Sequence, residues 1–348
     1  MSRLGEVIET TRRARGFTQA QLAERAGVTQ GALSRYEKDL RAPDDETVRS
    51  IAEALGVTPR FLEHAGRPQA AMAVDAHMRR RATAKPTVWR QLEAELNVLR
   101  MHASMIFEDV HLQSEQRIPT FDSWEMRPAD AARLVRMQWR MPIGPVRSLT
   151  RWLESAGCLI IERDFGSARV DGLSQWVGDV PVIFMNSAAP TDRKRLTMAH
   201  ELGHLVLHSD QISADLEDEA DEFAAEFLMP MDVIRPQLRS LHISRLGDLK
   251  RDWGVSMQAL VERAYREGLM TAAARTNFYK TLSAKGWRVA EPFSDELTPE
   301  HPELPAQMGE ALTAKGLDPQ DIAEIAGFHS AADNVLLPVP ESRRLRLM

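Results

Sequence analysis

Two histidines four positions apart, His200 and His204, lie in the run AHELGHLVLH, Ala199–His208. On a helix that spacing turns both imidazoles to one side, where they can share a single metal ion. Glu201 follows the first histidine directly. It is placed to take a proton from a water on the metal rather than to bind the metal itself. A catalytic zinc keeps three protein ligands and one open position, so a third donor is needed. The stretch 209–226, with eight acidic residues and no Lys or Arg, is the expected source. Read as a helix, it buries Ala220, Phe223, Ala224, Phe227 and Leu228. Glu219 lies at the edge of that face, one turn before Phe223. It is the expected third ligand, with Glu222 as the alternative. His208, a further turn along, reads as a packed or supporting histidine.

A second chemistry belongs to the segment FTQAQLAERAGVTQGALSRYE, Phe17–Glu37. Small Ala23 lets two helices approach, Gly27 takes the tight turn, and Leu22, Val28 and Leu33 fill the shared core, which is the spacing of a helix-turn-helix. The outward positions of its second helix are Gln30, Gly31, Ser34 and Arg35, side chains able to reach base edges in a major groove. Thr29, at the start of that helix, belongs with these DNA-facing residues. Gln19, Arg13 and Arg41 are placed for phosphate contacts.

The elements that must position these residues follow from periodicity and caps. Leu4, Val7, Ile8 and Thr11 share one helical face, and Thr18 with Gln21 has capping-box spacing. Helices are expected from about Thr29 to Lys38 and from Asp45 to Leu55, with Gly56 as a stop and Thr58-Pro59 opening a fifth. Residues 67–88 read as a linker, and Trp89–Leu112 as a long amphipathic helix suited to spacing or dimerisation. Strands are expected at Cys158–Glu162 and Val180–Met185, then helices near 192–208 and 217–229. Helices continue to a pair near Leu304–Lys315 and Pro319–Phe328. A substrate strand is expected to pair along the edge of Val182–Met185.

Composition fits a multidomain globular protein of 348 residues. The net charge is −6, divided into about +5 over residues 1–90 and −11 over the remainder. A basic head on an acidic body suggests two tasks. Cys158 is the one cysteine, which excludes an internal disulfide or a Cys-rich zinc site and suits a reducing compartment. With no apolar run of membrane-spanning length, the expectation is a cytoplasmic protein with no membrane association.

Residues 4–62, with TQxxLAxxAGV and SRYE, resemble the phage-repressor (Cro/cI, or XRE) helix-turn-helix family. The resemblance implies sequence-specific binding of double-stranded operator DNA as a homodimer. VDGLSQW, PVIFMN, RKRLTMAHELGHLVLH, EADEFAAEFLMP, WGVSMQALVERAYREGL and GWRVAEP, spread over roughly 120–295, resemble the ImmA/IrrE metallopeptidase family. That resemblance implies a gluzincin-like zinc peptidase, helix-rich with a small sheet, that cleaves a partner repressor. It makes His200, His204 and Glu219 the Zn2+ ligands and Glu201 the general base. The expected class is thus mainly α (α+β). A five-helix repressor-type domain (1–66) leads through a linker and long helix (67–119) to the peptidase domain (120–295). The latter includes a second helix-turn-helix-like unit (246–270), and a C-terminal helical region (296–348) follows. Three readings remain open: a DNA-bound regulator whose endopeptidase cleaves a repressor or itself, a transcription factor whose zinc domain only senses, or an antitoxin-like protein that binds a toxin-type partner.

Overall fold

Short amphipathic helices open the chain because apolar residues recur there at steps of three and four. The computed structural model describes residues 4–64, 86–166, 170–208 and 215–339. They divide into two compact units: Met1–Gln113 with Val177–Val180 and Glu303–Met348, and Ser114–Trp176 with Pro181–Pro302.

In the first unit α1 (Leu4–Ala14), α2 (Gln19–Arg25), α3 (Gln30–Glu37), α4 (Asp45–Leu55), α5 (Pro59–His64) and α6 (Pro86–Asp109) follow one another. Thr18 caps α2 in a full capping box with Gln21, and Thr29 and Asp44 cap α3 and α4. Gly56 ends α4 at φ 71°, a left-handed conformation that glycine adopts without strain. Ile8, Leu22, Leu33, Ile51 and Phe61 fill the core, joined by Met101 and Met105 of α6. The linker expected at 67–88 falls, up to residue 85, outside the described residues. From Pro86 onward the chain is already helical.

The second unit holds α7 (Pro128–Gln138), α8 (Leu149–Ser155), β1 (Leu159–Arg163) and, but for their end residues Val177 and Val180, β2 (Gly172–Val177) and β3 (Val180–Asn186). Next come α9 (Thr191–Leu207), α10 (Leu216–Leu228), α11 (Met231–Ile234), α12 (Ile243–Trp253), α13 (Met257–Arg266) and α14 (Ala272–Ala284). The sheet order is β1-β3-β2, with β1 parallel to β3 in the register Leu159↔Val182 to Arg163↔Asn186. This corrects the expected strand addition at Val182–Met185. β3 is the central strand and is paired on both sides, so its backbone has no free edge.

Helix α9 is buried along almost its whole length and packs on α10. Gly203 makes this possible: a Cβ there would stand 3.2 Å from both Ala220 and Phe223. Two buried charge networks brace the pair. Glu226 of α10 is held by Arg133 at 2.8 Å and by Arg263. Lys250 of α12, fully buried, donates to Asp192 at 2.7 Å, Glu291 at 2.9 Å and Ser294 at 2.8 Å. Loss of the central Lys250 would leave Asp192 and Glu291 as uncompensated buried charges, which costs about 3–5 kcal/mol.

The C-terminal helices Leu304–Ala314 and Pro319–Ile325 belong to the first unit, although the chain reaches them only after the second. Thr58 donates its backbone N–H to the carbonyl of Gly327 at 2.9 Å, and His329 donates to that of Gly56 at 3.2 Å. His102 of α6 is stacked between Phe61 at 4.2 Å and Phe328 at 3.8 Å. Its Nδ1 meets the Ala326 carbonyl at 2.7 Å. Burial pushes the His102 pKa down to about 3. The unfolded chain takes up this proton below about pH 6.5, while the folded chain refuses it until near pH 3. Acid therefore favours unfolding: the contribution is intact above pH 6.5 and is lost as pH falls from there, on the order of 1 kcal/mol per pH unit. Thermal melts from pH 7.5 to 5 should show the wild type losing more stability than His102→Gln. Parallel profiles would refute this.

Candidate metal centre

Strand β2 lies along α9 in a register set by simple geometry. Two residues of strand rise about 6.6 Å and four residues of helix about 6 Å, so every second strand residue can meet every successive turn. A Cβ on Gly172 would stand 2.6 Å from the Thr197 side chain. Ser174 reaches Glu201, and Trp176 donates its indole N–H to the Leu205 carbonyl at 3.2 Å. Ser174 Oγ is 2.8 Å from Glu201 Oε2 and 3.0 Å from the Glu201 carbonyl oxygen. Glu201 is thus buried and aimed by a hydroxyl from the neighbouring strand.

Helix α10 runs antiparallel to α9, with Glu217 beside His204 and Asp221 beside His200. His200 donates from Nδ1 to Asp221 Oδ1 at 2.8 Å. His208 Nε2 donates to Glu219 Oε2 at 2.7 Å, so its Nδ1 accepts from His204 Nδ1 at 2.9 Å. With both Nδ1 atoms assigned as donors, the two Nε2 atoms face each other at 3.0 Å with their lone pairs converging. Glu217 oxygens lie 3.6 Å from each. Converging lone pairs and a carboxylate in a buried place call for a cation between them.

The donor set fits zinc. His200, His204 and Glu217 offer ligand atoms within 4.8 Å of one another. Tetrahedral bonds of about 2.0–2.2 Å place donor atoms roughly 3.3–3.6 Å apart. His200 reports the same demand for positive charge. Burial opposes its protonation, yet hydrogen bonds to Asp221 and Glu217 and the nearby Glu201 charge outweigh burial and raise its pKa to about 9.

The structure brings His200, Glu201 and His204 together, as the spacing predicts, but it sets Glu219 elsewhere. Glu219 is two residues from Glu217, about 200° around the helix, and its carboxylate accepts from His208 instead. Glu222 is exposed and takes no part in the donor set. The buried face of α10 says little about which carboxylate meets the histidines, because a carboxylate that does so stands at the rim of a core rather than over it. The usable signal was matched spacing. Glu217 and Asp221 are four apart on one helix, as His200 and His204 are on the other. Ser174 carries no signal of its own in the sequence, because β2 lacks the apolar alternation of an ordinary strand.

In the first unit Thr29, Gln30, Gly31 and Arg35 are exposed and Ser34 is half-buried. Thr29 caps α3, accepting from the Ala32 N–H at 3.2 Å. Gln19 has an internal partner: its side chain donates to Glu37 at 2.7 Å. Glu37 is also bound by Arg12 at 2.6 and 3.0 Å, a buried bidentate pair that joins α1, α2 and α3.

Residues 8–62 match the helix-turn-helix family model, and residues 153–265 match that of the IrrE N-terminal-like domain, peptidase M78. The chain thus joins an XRE-type helix-turn-helix domain to an IrrE/ImmA-like domain. It is 32% identical over 59 residues to the HTH-type transcriptional regulator ImmR of Bacillus subtilis (strain 168). The match covers 17% of this chain and 46% of ImmR, so the chain spans less than half of that relative. Among the described residues, no helix is long and apolar enough to cross a membrane.

Zinc content then separates the carboxylates. Elemental analysis should show Glu217→Ala largely emptied and Glu219→Ala still loaded. Asp221→Asn, which loosens the ring of His200, should weaken affinity by about 10–100-fold in chelator competition. Retention in Glu217→Ala with loss in Glu219→Ala would restore the assignment of Glu219.

Proposed function

We propose that this protein is an operator-binding regulator whose second unit is a zinc-dependent endopeptidase acting on a repressor protein. The convergence of His200 and His204 Nε2 at 3.0 Å beside the Glu217 carboxylate carries this reading. Glu201 supports catalysis over a purely structural site, because a structural ion has no use for a buried carboxylate hydrogen-bonded by Ser174 next to it.

Zinc held by His200, His204 and Glu217 would supply Lewis acidity, acidifying a water and polarising a peptide carbonyl. The chain's own residues do the rest. Glu201 accepts the proton of the attacking water and returns it to the leaving amine. Ser174 holds the Glu201 carboxylate in place. Asp221 fixes the His200 tautomer, and the His208–Glu219 pair fixes that of His204.

The DNA-binding surface is α3, with Gln30, Gly31, Ser34 and Arg35 toward the bases, Thr29 at the start of the helix and Gln19 close to the DNA backbone. Binding as a homodimer would match a palindromic operator. Arg35→Ala should weaken operator binding by about 1–3 kcal/mol if it reads a base. Gel shifts on the neighbouring promoter measure this. No selective shift at low salt would refute the assignment.

Incubating zinc-loaded protein with candidate repressors, then weighing the fragments, tests the peptidase directly. Glu201→Gln should keep zinc and DNA binding while cleavage falls at least about a hundredfold. In cells the same variant should leave the target promoter uninduced under the inducing signal. Normal induction would favour a sensor over an enzyme.

A further inference from the structure

The groove between α9 and α10 does not stop at the metal centre. It opens into a cleft of about 440 Å³ roofed by α13. Leu196 stands one turn before His200, Ala225 one turn after Asp221, and both line the cleft. Asp221 lines it as well while holding His200 at Nδ1, so the cleft adjoins the site behind the His200 ring.

Its charges are mostly spoken for. Asp192 and Glu291 are held by Lys250 at 2.7 and 2.9 Å. Glu262 accepts from Arg275 at 2.8 Å and from Tyr279 at 2.6 Å. Arg263 is bound to Glu226 and Arg193 to Asp171. Two lining guanidiniums differ. Arg266 is half-exposed and comes no nearer than 3.9 Å to Asp221. Arg288 is exposed, lies 4.8 Å over the Tyr279 ring, and has no ion pair among the described residues. Beside them Leu196, Ala225 and Met229 make an apolar wall, and Val289 an apolar rim.

We infer that this cleft takes an acidic stretch of peptide, with an Asp or Glu side chain held by Arg266 and Arg288. The inference rests on the peptidase reading of the adjoining site. Guanidiniums lining one cleft favour a planar carboxylate, and the apolar wall suits the flanking side chains. A nucleic-acid strand offers anions too, but with a charge at every unit it would run against Asp221 and Glu262 in the same cleft.

Full-length Glu201→Gln protein tests this without cleavage. Its affinity is measured by fluorescence anisotropy for fluorescein-labelled decapeptides that differ only in two Glu, two Gln or two Lys residues. The Glu peptide should bind at least about tenfold more tightly than the Gln peptide, and the Lys peptide more weakly still. Arg266→Gln with Arg288→Gln should abolish that preference while circular dichroism and zinc content hold. Arg288→Glu alone, at an exposed position, should shift preference toward Lys. Equal affinity for all three peptides, or a preference that survives in the double variant, would overturn the inference. So would displacement of the Glu peptide by a short DNA duplex at matched charge. Acid-selective binding with no cleavage by the wild type would remove the peptidase reading and leave the cleft standing. Cleavage without acid selectivity would do the reverse.

Discussion

Two imidazole nitrogens 3.0 Å apart, with a carboxylate 3.6 Å from each, form an arrangement that repels itself unless something positive sits within it. The second unit is organised around that demand. Buried lone pairs cannot turn to water, so they must be held against relaxing away. Asp221 and the His208–Glu219 pair hold the rings from behind, and Gly203 lets α10 come close enough for Glu217 to complete the set. The buried networks at Glu226 and Lys250 secure the two helices around it.

The alignment of β2 with α9 is a second constraint of equal reach. A strand that advances by twos and a helix that advances by fours stay in step over three contacts: Gly172 with Thr197, Ser174 with Glu201, Trp176 with Leu205. The middle contact is the one that aims the carboxylate. The sheet therefore contributes to the site through side chains as well as through shape.

Much of the architecture was legible in the sequence because caps and periodicity are local. Thr18, Gly56 and the runs at Cys158 and Val180 mark their elements directly. The His-Glu-Leu-Gly-His spacing brings three candidate residues together for the same reason. Glu217 was harder to choose. Which of several carboxylates on one helix meets a distant histidine depends on interhelical register, and that is set where Gly203 packs on Ala220 and Phe223. β2 escaped because Gly172, Ser174 and Gln175 lack the apolar alternation of an ordinary strand, while its burial comes from tertiary packing. The C-terminal helices were visible as helices. Their association with the helix-turn-helix unit is a contact between residues more than two hundred positions apart.

That association bears on the order of assembly. The ring of His102 closes between Phe61 and Phe328, so one compact unit is built from segments synthesised before and after all of 181–302. Domains generally fold as they leave the ribosome. Here the head emerges first yet waits with its α5–α6 seam uncovered until residues 303–337 are made, by which time α9 and α10 are already out. A nascent chain thus gains its finished head only after its body exists, and a molecule stalled partway through translation would carry a head with an open seam.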